Sequence, residues 1–270
     1  MVFKKHIAIP QDHGSWVFLF SPLLIGWSIG GTSGVSSFAL FGASVSAFLL
    51  RQPLSMAIKV WSGRRAAADL GPALFWSAAY GSLLLFFAAW LAWLGHGRLL
   101  WLGVPAGLVF GWYLWLVGRR SERRQMGMEM VASGVLALAA PAALWVGQGS
   151  YRPVGWLLWG LCWLQSAASI VYAYLRLEQR QWSEVPARLG DRLRLARRVL
   201  AYTTFNFLLT FSLGVSGLIP PNLWLAYALQ WGESLYGSLR PAFKVPPTRI
   251  GIRQLVVSTA FTVLFILLWR

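Results

Sequence analysis

Charge is what this sequence has least of. Only 12% of its 270 residues are charged, against about 25% in an ordinary soluble domain. Eight residues are acidic and they are scattered, so nothing supports a paired-carboxylate active site. The one cysteine, Cys162, lies inside an apolar run. It can form no intramolecular disulfide and has no partner for a cysteine-based metal site. There is no His/Cys ligand cluster, no P-loop and no Gly-x-Ser-x-Gly turn. We therefore expect no metal and no cofactor. No polar block is long enough to be a soluble domain, so residues 1–270 read as one domain.

What is present is apolar. Hydrophobic residues make up 57% of the chain and the mean hydropathy is +0.57. Runs near 20 residues recur along the whole length, the signature of an all-α polytopic membrane protein. The runs are continuous and not alternating, which argues against a barrel. Seventeen tryptophans suit an interfacial belt and bundle packing. The net charge of +16 would suggest nucleic acid in a soluble protein. Here membrane orientation and anionic lipid headgroups explain it, and no nucleic-acid partner is expected.

The pattern predicts nine transmembrane helices, at about 15–31, 34–50, 72–95, 99–118, 126–147, 154–175, 199–219, 221–239 and 253–270. The basic head with Lys4, Lys5 and His6 resembles a signal-peptide start, but no small-residue cleavage site follows, so the first span reads as uncleaved. Twenty-one basic residues then fall on one side and three, Arg98, Arg152 and Arg270, on the other. The positive-inside rule places the N-terminus in the cytoplasm and the C-terminus outside. External connections are short and rich in glycine and proline; cytoplasmic ones are longer, where sites are commonly built. Between Glu184 and Arg198, leucines on one helical face and arginines on the others predict a basic interfacial helix.

Candidate site residues cluster on the cytoplasmic side. Pro10-Gln-Asp-His-Gly-Ser-Trp16 opens the first span; Asp12 or Ser15 would cap it, and His13 could titrate or bind an anion there. In Arg51-Gln-Pro-Leu-Ser-Met-Ala-Ile-Lys59, Pro53 should break or kink the helix. Arg51 and Lys59, eight residues apart, should share a face and could grip a phosphate or headgroup. The plainer alternative is snorkelling. Glu129 is an acid at a span's edge, with Arg119, Arg120 or Arg124 as possible partners; a carboxylate favoured by the helix dipole is the alternative. Tyr172, Arg176 and Arg180 fall at i, i+4 and i+8. They would share a vestibule with Lys59 if the second and sixth spans are neighbours. Asn206, Thr203, Thr204, Gln230 and Glu233 read as interhelical hydrogen-bonding groups.

The Pro10–Trp16 opening, the Arg51–Lys59 segment and a late Tyr172-x-Tyr-x-Arg176 resemble the YwiC-like family of bacterial membrane proteins. That resemblance implies a multi-span protein of the bacterial inner membrane and carries no established activity. The nine-span layout is also similar, more distantly, to the UbiA-type intramembrane prenyltransferases. Those hold Mg²⁺ and a prenyl diphosphate with two Asp-rich motifs after the second and sixth spans. Here Ala57 to Arg64 and Tyr172 to Arg180 stand at those places without an aspartate, and only Glu178 is acidic. Mg²⁺ needs carboxylate oxygens, so the resemblance supports a UbiA-like bundle and argues against standard Mg-dependent chemistry. It leaves open whether the protein is an enzyme. The leading expectation is a basic vestibule binding an anionic isoprenoid or phospholipid through His13, Arg51, Lys59, Arg119, Arg120, Glu129, Tyr172, Arg176 and Arg180. The alternatives are a transporter or exporter of a small anion or lipid, and a scaffold within a membrane complex.

Overall fold

A computed structural model describes residues 4–10, 14–32, 34–121 and 125–269. The described elements are all helical, and each of the nine apolar segments forms helix. A short head, α1 (Lys5–Ala8), precedes α2 (Ser15–Gly30) and α3 (Val35–Trp61). Next come α4 (Leu70–Leu91) and α5 (Gly103–Gly118). A π turn and a 3-10 turn join these two, and Gly95 with φ 90° breaks the helical path between them. The chain continues with α6 (Met126–Ala137), α7 (Ala139–Gln148), α8 (Val154–Gln179) and the short α9 (Leu189–Leu195). It closes with α10 (Arg197–Val215), α11 (Trp224–Leu239) and α12 (Pro247–Leu268).

Two segments differ in detail from the sequence expectation. The second apolar segment does not end at residue 50: α3 runs through Pro53 to Trp61. A proline removes one backbone donor, but packing of α3 along α4 holds both sides of it in one helix. The fifth segment, expected as one helix, is a continuous helical stretch with a local tightening at Leu138, whose φ of −60° and ψ of −16° stay helical. Pro141 has no N–H for the Ala137 carbonyl, and the Leu138 amide turns to Val135 in a tighter bond of 3.1 Å.

Five helical stretches are long and apolar enough to cross a membrane by length and composition: Val35–Trp61, Ala67–Gly118, Met126–Gln148, Val154–Gln179 and Pro247–Leu268; Ser15–Gly30 is a shorter apolar helix. The outward faces of α4 and α5 are apolar, with Leu85, Phe86 and Leu108 exposed, and Trp93 in the turn between them is 81% exposed. Water would not tolerate so continuous an apolar surface, but lipid does. The chain is a membrane protein.

Two cores meet at the α2–α7 pair. Leu19 and Leu23 of α2 and Ala143 and Val146 of α7 pack with Leu40 and Phe48 of α3. Ile25 and Leu144, from the same two helices, pack with Leu158, Leu161, Tyr227 and Phe261 of the C-terminal half. Glycine makes the pair close: a Cβ on Gly26 would lie 2.3 Å from the Ala140 carbonyl oxygen, and one on Gly147 2.1 Å from that of Gly31.

Cross-links define one end of the bundle. Gln52 Nε2 donates to the His6 carbonyl (2.7 Å), Tyr80 Oη to that of Ala8 (3.1 Å), and Lys4 Nζ to Asp69 Oδ1 (2.6 Å). Ile7 and Ala8 are thereby buried against α3 and α4. The hydrogen-bonded Lys4 ammonium holds the Asp69 carboxyl below its usual range, against a smaller upward push from desolvation.

Two outcomes follow from this packing. A carboxylate with a lowered pKa contributes stability above its ordinary pKa, about 4, and loses it as pH falls through the lowered value. Backbone hydrogen exchange at Ile7 and Ala8 should therefore quicken below about pH 4 after correction for intrinsic rates, and Asp69→Asn should show the faster exchange already at neutral pH. Equal protection at both pH values would rule the tether out. Gly26→Ala should destabilise by about 1–3 kcal/mol through overpacking, read as a lower melting temperature in detergent. Gly107→Ala, where a Cβ meets nothing within 4 Å, should not.

Candidate functional site

Five polar residues of α8 recur at 4-3-4-3 spacing: Gln165, Ser169, Tyr172, Arg176 and Gln179. That is a heptad-like period, so they line one face, and all five are buried. Gln230, Ser234 and Gly237 of α11 repeat at the same spacing. The two faces meet in a polar seam running from mid-helix to the helix ends.

At mid-helix, Gln165 Nε2 donates to Gln230 Oε1 (3.2 Å) and Ser169 Oγ (3.4 Å). Further along, Tyr172 Oη donates to Glu233 Oε1 (2.8 Å). Gly237 permits this approach, since a Cβ there would lie 2.3 Å from Tyr172 Oη. Arg253 of α12 grips Glu233 with two bonds, Nε to Oε1 (2.6 Å) and Nη2 to Oε2 (2.7 Å), and lies 4.3 Å from the centre of the Tyr236 ring. Such a fork is the strong geometry for an arginine–carboxylate pair.

At the helix ends, Arg176, 7% exposed, serves the backbone. Its Nη1 donates to the carbonyls of Gly237 (2.9 Å) and Arg240 (2.8 Å) and to Gln179 Oε1 (2.8 Å). Gln179 Nε2 bonds the same Gly237 carbonyl (3.0 Å), and its Oε1 accepts from the Ala242 amide (3.0 Å). The last carbonyls of α11 lack helical partners and carry the negative end of its dipole; a guanidinium there caps them. Arg180 Nε reaches the Val245 carbonyl at 3.4 Å. Tyr172, Arg176 and Arg180 thus do face one way, toward α11 and the loop after it.

The condition for a vestibule shared with Lys59 is not met. The helices packed on α3 are α1, α4, α5 and α7, whereas those packed on α8 are α2, α6, α7, α10, α11 and α12. The expected residues divide into groups. Lys59 lies in the last turn of α3, and Arg119 and Arg120 directly follow α5, whereas Arg51 sits ten residues before the end of α3. Arg51 lies 5.5 Å from the Phe48 ring centre and 6.0 Å from that of Tyr113. Arg119 covers Trp115 at 4.9 Å. Arg64 donates to the Val117 carbonyl and Arg120 to that of Ser62 (3.1 Å), tying the two ends to each other. Arg120 adopts φ 61° to do so, a conformation uncommon for a side-chain-bearing residue. Glu129, in the first turn of α6, accepts a hydrogen bond from Tyr174 (2.8 Å). His13, Asp12 and Arg124 lie outside the described residues. No cluster of three or more metal-ligating side chains occurs among the described residues.

Residues 9–144, half of the chain, match the YwiC-like protein family, and the chain belongs to it. No curated protein and no solved structure matches the chain. The match contains the Pro10–Trp16 opening and the whole α3–α5 cationic group; Tyr172 to Arg176 and the seam on α8 and α11 lie beyond it.

The Glu233–Arg253 pair makes an asymmetric prediction. Glu233 is 8% exposed at its side chain and Arg253 43%. Removing the arginine strands a buried carboxylate, whereas removing the acid frees a cation that water already reaches. Arg253→Ala should cost toward the lower part of the roughly 3–5 kcal/mol typical of a broken buried pair, because solvent screens the arginine. Glu233→Gln should cost less, and the double substitution should recover part of the loss. Thermal unfolding of the four proteins in detergent measures this; strictly additive effects would show that the pair is uncoupled.

Proposed function

We propose that the nine apolar segments all cross the bacterial inner membrane, N-terminus in the cytoplasm, and that the α3–α5 cationic group binds the anionic headgroup of an amphiphile there. The single observation that carries this reading is that Lys59 in the last turn of α3 and Arg119 and Arg120 after α5 lie at two helix ends tied to each other, inside the family-matched half. Aromatic rings under Arg51 and Arg119 supply cation–π support at the depth where Trp and Tyr meet lipid headgroups. An isoprenoid phosphate or an anionic phospholipid has the required chemistry. A UbiA-like bundle remains part of this proposal, but Arg176 is spent on α11, so a diphosphate clamp built from Lys59, Arg176 and Arg180 gains no support. A second reading, transport of a small anion or lipid, is favoured by the polar seam, since intramembrane polar groups line many solute paths.

Native mass spectrometry after gentle delipidation separates these readings. The wild type should retain an anionic lipid, and the Lys59→Ala/Arg119→Ala/Arg120→Ala protein should lose it. A control with Arg197→Ala and Arg198→Ala, exposed arginines at the start of α10, should keep it. Equal retention by all three would sink the headgroup site.

A further inference from the structure

Beside the seam, α2, α8 and α12 line a partly closed cavity of about 10 Å³, with Ser21, Gln165, Ser166, Ser169, Ser258 and Phe261 among its walls. Counted as space for a molecule's centre, that holds one water. The hydroxyl of Ser21 lies 2.6 Å from that of Thr262, so polar contact continues across the α2–α12 interface.

Gln165 is 94% buried, as its 6% exposure states, and its Oε1 has no hydrogen-bond partner; nor has Nε2 of Gln230, 2% exposed. Turning the amides over does not cure this. Two carboxamides joined by one hydrogen bond leave one carbonyl oxygen and one NH2 group over in either orientation. Turning only one sets like groups against each other. The Gln165 carbonyl, which lines the cavity, needs a donor that the described side chains do not supply.

We propose that the cavity binds one resident water, which donates to Gln165 Oε1 and exchanges hydrogen bonds with the surrounding serine hydroxyls. Water fits by size and by chemistry. A sodium ion would also find oxygen ligands, but the described walls hold no carboxylate, and an unneutralised buried charge is far costlier than a buried neutral dipole. The water makes the contact of α2 with α8 and α12 a wet joint at mid-helix depth. The inference is independent of the headgroup reading.

Solid-state NMR of the labelled protein in lipid vesicles tests it. Magnetisation from water should reach the Gln165 carboxamide quickly, and Leu144, fully buried in the apolar core, slowly. In Ser258→Val, whose added methyls fill the cavity, transfer to Gln165 should fall to the Leu144 level. Slow transfer to Gln165 in the wild type overturns the proposal without reference to any variant. Unchanged fast transfer in a folded Ser258→Val also overturns it. So does loss of the signal when sodium is replaced by choline, which would identify a cation as the guest.

Discussion

The approach of α2 to α7 is the contact on which the rest of the bundle depends. Both apolar cores draw residues from this pair, so its spacing sets where the N-terminal and C-terminal halves can sit. Gly26 and Gly147 bring one helix directly against the backbone of the other. In lipid, little hydrophobic force separates a helix–helix contact from a helix–lipid one, and close van der Waals packing through small residues takes its place. The tightening at Leu138 belongs to the same arrangement. It lets α7 follow α2 while α6 keeps its own packing against α8.

A second constraint explains the arginines. Helices that end beside these arginines present orphan carbonyls there. Arg64 bonds the Val117 carbonyl, Arg120 that of Ser62, Arg176 those of Gly237 and Arg240, and Arg192 that of Leu239. These charges therefore finish the helices that end beside them. One residue type meets the need because guanidinium offers five donors in a fixed fork and remains ionised. An arginine count by side is blind to this role.

This is also why the fold was more legible than the site. Apolar length and glycine–proline punctuation locate the nine apolar helical segments, because burial of the backbone in lipid leaves few alternatives. The end of α3, eleven residues past the expected boundary, is not legible, because whether a helix continues through Pro53 depends on what packs around it. The shared face of Tyr172, Arg176 and Arg180 follows from helical spacing alone. Their separation from Lys59 does not, since which helices are neighbours is a tertiary fact. The full seam could have been found in the sequence: Gln165, Ser169, Tyr172, Arg176 and Gln179 keep a 4-3-4-3 period inside an otherwise apolar helix. Charge drew attention to the end of that helix, while the uncharged amides that continue the pattern drew none.

The two sides of α2 differ in kind. Toward α7 it meets backbone and small apolar side chains at closest approach, a contact with no second arrangement available. Toward α8 and α12 it meets hydroxyls, an amide and a small cavity. Hydroxyls and carboxamides can exchange partners at nearly constant energy, particularly when a mobile third group supplies the missing bond. Any rearrangement of the bundle should therefore take place on the α8–α12 side, with α2 and α7 moving as one piece. The Glu233–Arg253 fork lies on that side, where the end of α11 meets the start of α12. A shift of α12 against α11 would have to part a carboxylate that is buried from a guanidinium that is half in water. The seam would thus hold the joint closed from the basic end, whichever reading of the function prevails.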